Sequence, residues 1–151
     1  MKAIILLAAV AATSFSVIAQ DYSTPIENCV KAAEAVKNND AALLKPLVRD
    51  LNPEEEQAMT PYLAKIHTYY TKGSYQGIRN FRTNEVQVIE NAKTSIYQDT
   101  RENAEKYNYD EEIWVNYSFD TSRVDKKDAV KSGQCKFAQI GGRWVMMNVL
   151  N

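Results

Sequence analysis

Between residues 24 and 150 the spacing of apolar side chains changes once, and that change limits the folds open to the chain. In the first half apolar residues recur every three or four positions. Ile26, Cys29, Val30, Ala33 and Val36 make one helical stripe, and Tyr62, Ile66, Tyr69 and Tyr70 make another. In the second half the period becomes two. Ile113, Val115, Tyr117 and Phe119 alternate with Trp114, Asn116 and Ser118, as on a strand with one face toward a core. Helices followed by an antiparallel meander predict an α+β domain, with N-terminal helices packed on a curved sheet of about four strands.

Local signals set the expected boundaries. Thr24-Pro25 reads as a cap followed by a first-turn proline, and Asn38-Asn39 as the stop of that helix. Asp40 caps a short second helix that Pro46 makes irregular. Asn52-Pro53-Glu54-Glu55-Glu56 combines a cap, a first-turn proline and carboxylates at the positive end of the helix dipole. At Thr60-Pro61 that helix is expected to kink or restart, and Lys72-Gly73 to end it. Glu85–Ile89 and Ser95–Tyr97 read as β-like, and Arg101–Glu112 and Thr121–Asp128 as charged, solvated connections. Cys135, Phe137 and Ile140 mark a strand, Gly141-Gly142 a hairpin turn, and Arg143–Leu150 the returning strand.

The first residues carry an address. Met1-Lys2 is followed by the apolar run Ala3–Ala12 and by Val17-Ile18-Ala19, small residues where a signal peptidase cuts. The run is short of the roughly 20 strongly apolar residues of a membrane span. Residues 1–19 are therefore expected to be a cleaved signal peptide and 20–151 one domain, periplasmic or secreted, with no membrane anchor after cleavage. Loss of Lys2 takes the net charge from −1 to −2, which argues against a nucleic-acid partner. In an oxidising compartment Cys29 and Cys135 are either bridged or two buried thiols. With one histidine and no paired cysteine spacing, neither a metal nor a cofactor is expected.

The helix-to-sheet order across about residues 24–150, ending in Gly141-Gly142-Arg143-Trp144-Val145, resembles the cystatin-like, cone-shaped fold of the nuclear transport factor 2-like (NTF2-like) superfamily, and small secreted bacterial domains within it. The resemblance implies helices lying in the concave face of a bent sheet, often beside a pocket. Some members use that pocket as enzymes and others only to hold ligands or partners, so the fold leaves function open.

Candidate binding residues are His67, Tyr70, Tyr97, Trp114 and Tyr117. His67 reads as a pocket base or as a structural histidine, with no motif tying it to a nucleophile. Trp114, on the more polar strand face, reads as an interface anchor or as cover for the back of the sheet. Tyr69, Tyr70, Tyr97, Asp99 and Asp120 are residue types that an isomerase-like site would use. Asp110-Glu111-Glu112 reads as a solvated loop, and Asn116-Tyr117-Ser118 as a chance match to the glycosylation acceptor pattern. Three functions follow: a non-enzymatic binding domain for a small ligand or partner protein, an immunity-type inhibitor of a secreted toxin, and an isomerase- or dehydratase-like enzyme.

Overall fold

The structure is a computed structural model and describes residues 21–150; the expected leader lies outside them. The elements are α1 (Ser23–Asn38), α2 (Ala41–Leu44) running into a 3-10 turn (Lys45–Leu47), α3 (Pro53–Thr71), β1 (Arg79–Ile89), α4 (Gln98–Tyr107), β2 (Glu112–Arg123), β3 (Lys126–Ile140) and β4 (Arg143–Met146). The four strands form one antiparallel meander in the order β1-β2-β3-β4, so the fold is α+β with a curved sheet. The register between β1 and β2 slips at Arg79/Arg82 and again at Thr83/Val86, two irregularities that bend and twist this edge.

The helix signals work almost as written. α1 begins one residue before Thr24, which lies inside the first turn rather than at the cap; the Ser23 N–H donates to Asp21 Oδ1 at 2.9 Å just ahead of it. Its buried face is Cys29, Ala32, Ala33, Ala35 and Val36, while Val30 is exposed. Alanine at these positions lets the helix backbone sit close to its neighbours. Asn39 ends α1 in the left-handed conformation, and the Asp40 side chain accepts from the Ala42 N–H. Asn52 and Glu55 form a reciprocal capping box at the start of α3. α3 neither breaks nor restarts at Pro61 but continues to Thr71. Gln57 and Pro61 are both exposed, so solvent can take the carbonyl that proline leaves without a donor.

Glu55 also holds the Arg49 guanidinium. Arg49, with the Asn52 backbone N–H behind it, lowers the Glu55 carboxyl to about 2. Because the folded pKa lies below the ordinary 4.5, the charge stabilises the fold above that value, and the contribution is lost as pH falls toward 2. Glu55→Gln is therefore expected to flatten the acid limb of a Tm-versus-pH curve and leave its neutral-to-alkaline limb parallel to wild type. An unchanged acid limb would refute the assignment.

The second half needs four corrections. The first is at Thr121–Asp128, which is not a solvated connection: β2 runs to Arg123, with Thr121 buried, and β3 starts at Lys126, so only Val124 and Asp125 turn the chain. Ser95–Tyr97 is not a strand but the lead into α4, and most of the expected connection Arg101–Glu112 is α4 itself. That helix buries only Thr100 and Ala104, one turn apart, so its apolar stripe is too thin to show in a charged stretch. β4 ends at Met146 rather than Leu150. Gly141 and Gly142 have φ of +59° and +78°, the two left-handed residues that a tight hairpin of this kind requires.

Where β4 stops, a side chain takes over its pairing. The Lys136 N–H donates to Asn148 Oδ1 at 2.6 Å, and Asn148 Nδ2 donates to the Gln134 carbonyl at 2.9 Å. Two cores result. Ile113, Val115, Tyr117, Phe119, Cys135 and Phe137 face the first three helices. On the other face, Ala138 joins Ala92, Ala104 and Tyr109 beneath α4. Cys29 in α1 is bonded to Cys135 in β3, with Cα atoms 5.7 Å apart, which closes the larger core covalently.

Candidate ligand groove

The centre of the concave face is filled. Phe81 stacks on Tyr117 at 5.1 Å, and Tyr70 meets Phe119 edge-on at 5.6 Å. Space opens farther along, because β4 is short and leaves the N-terminal half of β3 without a neighbour on that side. There α3 and the C-terminal segment stand apart around a cavity of about 390 Å³. Tyr62, Lys65, Ile66, Tyr69 and Tyr70 line it from α3, Lys131 from β3, and Asn148, Val149 and Leu150 from the C-terminal segment. A second cavity of about 330 Å³ adjoins it, between α3 and the α2 region. Its lining is Leu44, Val48, Leu51, Ala58 and Met59, with Glu55 as the one charged group. Tyr62 and Val149 belong to both cavities, so together they make one groove that passes around those two side chains.

The phenols at the groove floor are donors in a fixed chain. Tyr117 bonds to the Tyr70 hydroxyl, and Tyr70 donates to the Leu150 carbonyl at 2.9 Å. Burial pushes both above the ordinary tyrosine range, so neither is a phenolate at neutral pH.

The five sequence-selected residues separate into three places. Tyr70 and Tyr117 meet at the front of the sheet, where Tyr70 lines the groove and Tyr117 is buried beneath it. Tyr97 and Trp114 meet at the back, ring centroids 4.6 Å apart. Trp114 is buried there, with its indole N–H donating to Glu112 at 2.6 Å and the Lys136 ammonium 4.5 Å above its ring. His67 stands apart, its Nδ1 2.8 Å from the Val36 carbonyl. A carbonyl only accepts, so that nitrogen carries the proton, and the ring ties α3 to α1.

The acids of the isomerase-like combination lie elsewhere. Asp99 is held below the usual carboxylate range by Lys136, and Asp120 by Asn80 and Arg82. Among the described residues no Asp, Glu or His lines the first cavity. Glu112 is a correction of another kind: it is not in a solvated loop but buried, accepting from Thr100, Tyr109 and Trp114. The polar groove residues that sequence reasoning missed are Lys65, Lys131 and Asn148, and it also missed the apolar Leu51, Ala58 and Met59. Lys65 neighbours the recognised stripe of α3, but nothing in the spacing connects it to a lysine on a distant strand.

Among the described residues no group of three or more His, Cys, Asp or Glu side chains could hold a metal ion. No helix among them is long and apolar enough to cross a membrane.

No protein-family profile matches the sequence, and no curated protein matches it either. Among solved structures, the chain is similar to a Campylobacter jejuni protein described as an NTF2-like transpeptidase. The TM-score is 0.51 at 10% identity, covering 82% of this chain and 97% of the other. At that identity the likeness is one of fold. Three N-terminal helical segments, the four-stranded antiparallel meander curved around them, and this structural match together show that the chain has an NTF2-like fold.

Proposed function

We propose that this chain is an exported, non-enzymatic binding domain that holds a small, partly apolar ligand in the groove between α3 and the C-terminal segment. One observation carries the reading: two adjoining cavities share Tyr62 and Val149 beside the filled aromatic centre of the concave face, and one of them is walled almost wholly by apolar side chains. Concave, mostly apolar sites with a few polar groups are what small-ligand binding uses. The leader pattern and the Cys29–Cys135 bridge support export. Transpeptidation, which the structural neighbour's description names, would have no cysteine nucleophile here, since both cysteines of the chain are in the bridge. The missing acid or histidine in the first cavity also favours holding a ligand over transforming it.

The test is native mass spectrometry of the protein purified gently from its own compartment. The expected spectrum shows added mass of a few hundred daltons. Ala58→Trp, placed on the exposed side of α3 where it projects into the apolar cavity, is expected to abolish that adduct with an unchanged circular dichroism spectrum. An adduct that survives in full would exclude the groove as its seat.

A further inference from the structure

The two ends of the groove differ in charge, and the difference specifies a ligand. At the apolar end the one acid, Glu55, is already neutralised: Arg49 pairs with it and the Asn52 N–H donates to it. At the other end Lys65 and Lys131 both line the cavity, and neither takes part in an ion pair among the described residues. Among the described residues no carboxylate lines that cavity to offset them. A chain with a net charge of −1 thus concentrates two cations, neither paired among the described residues, at one end of a groove whose other end is apolar.

Resting on the groove reading above, we infer that the ligand is a single-chain amphiphile with a carboxylate head. The carboxylate sits between Lys65 and Lys131, and the alkyl chain passes Tyr62 and Val149 into the cavity formed by Leu44, Val48, Leu51 and Met59. The second cavity, at about 330 Å³, suits one alkyl chain rather than the paired chains of a bilayer lipid. Two ammonium groups give charge-assisted contacts that an uncharged head cannot match. The flexible lysine stems let the heads close on a carboxylate without backbone movement. The exposed position of Lys65 keeps part of that attraction open to screening, so binding is expected to weaken with added salt.

The experiment is isothermal titration of the mature protein with decanoate and with decanol, in wild type, Lys65→Gln/Lys131→Gln and Ala58→Trp. The expected result is that wild type binds decanoate about tenfold or more tightly than decanol. The double lysine variant should bring decanoate down to the affinity of decanol and leave decanol unchanged, while Ala58→Trp should weaken both. If decanol matches decanoate on wild type, or the lysine variant leaves decanoate unchanged, the head-group assignment is overturned and the apolar groove stands. If neither probe binds wild type, the groove reading falls along with it.

Discussion

Replacing Cys29 and Cys135 together by alanine is expected to lower unfolding free energy by about 4–5 kcal/mol, the chain-entropy value for a loop of roughly 100 residues. The two residues lie 106 positions apart, so the bridge removes a large set of extended conformations from the unfolded chain. Both cysteines are fully buried, one on α1 and one on β3, and the bond spans the contact between helix layer and sheet. The side chains lost are small, so the cavity left behind adds little. Urea denaturation of wild type, of the double variant and of reduced wild type measures the effect. Reduced wild type and the double variant should coincide at a lower midpoint, with Tm down by on the order of 10 °C or more. A midpoint that does not move on reduction would mean the bridge contributes nothing to folding.

Glu112→Leu is expected to cost about 3–5 kcal/mol, because it strands three buried donors at once. The carboxylate accepts from Thr100 Oγ1 at 2.9 Å, Tyr109 at 2.6 Å and Trp114 Nε1 at 2.6 Å, and the residue is 1% exposed. Those donors come from α4, from the loop after it and from β2, so one side chain fastens the satellite helix to the back of the sheet. Acceptance by the carboxylate, after burial itself, pushes the Tyr109 phenol above its ordinary range. Asp110→Asn is the matched control. That residue belongs to the same acidic run but lies in an exposed pair with Lys93, and its loss is expected to cost less than about 1 kcal/mol. Equilibrium unfolding followed by tryptophan emission separates the two, since Trp114 reports directly on the Glu112 contact. Equal effects from the two variants would show that the buried carboxylate has no special role.

The contrast between Asp110 and Glu112 shows where sequence reading stopped. In the primary structure they are two acids in one charged run, and only the register of β2 turns the second inward. The same applies to α4, whose buried stripe is a threonine and an alanine rather than leucines. It applies also to β1, whose first half is a polar edge from Arg79 to Glu85 with little alternation to detect. The readable features were those whose signal is local. The Asn52 capping box, the αL stop at Asn39, the glycine pair of the last hairpin and the period-two run of β2 each follow from neighbouring residues alone. The groove was half legible. Tyr62, Ile66, Tyr69 and Tyr70 belong to a recognisable helix face, but the cavity they border exists because β4 ends early and Asn148 replaces its backbone pairing. Early termination by a side-chain amide leaves no periodic trace. Trp114, singled out on its strand face, turned out to serve the back of the sheet through a carboxylate that the linear reading placed in water.

The irregular pairing of β1 has a consequence for how this chain behaves in a crowded compartment. An open sheet edge is a template for another strand, and association through it leads to aggregates. One edge here is β1, where two register slips and a left-handed Asn80 bend the backbone out of a flat, repeating ladder. The opposite edge is β4, only four residues long, and beyond it the uncovered part of β3 carries Lys126, Lys127 and Lys131. A neighbouring strand would meet a bulge on one side and a row of ammonium groups on the other. The sheet is thus guarded at both margins against recruiting further copies of itself.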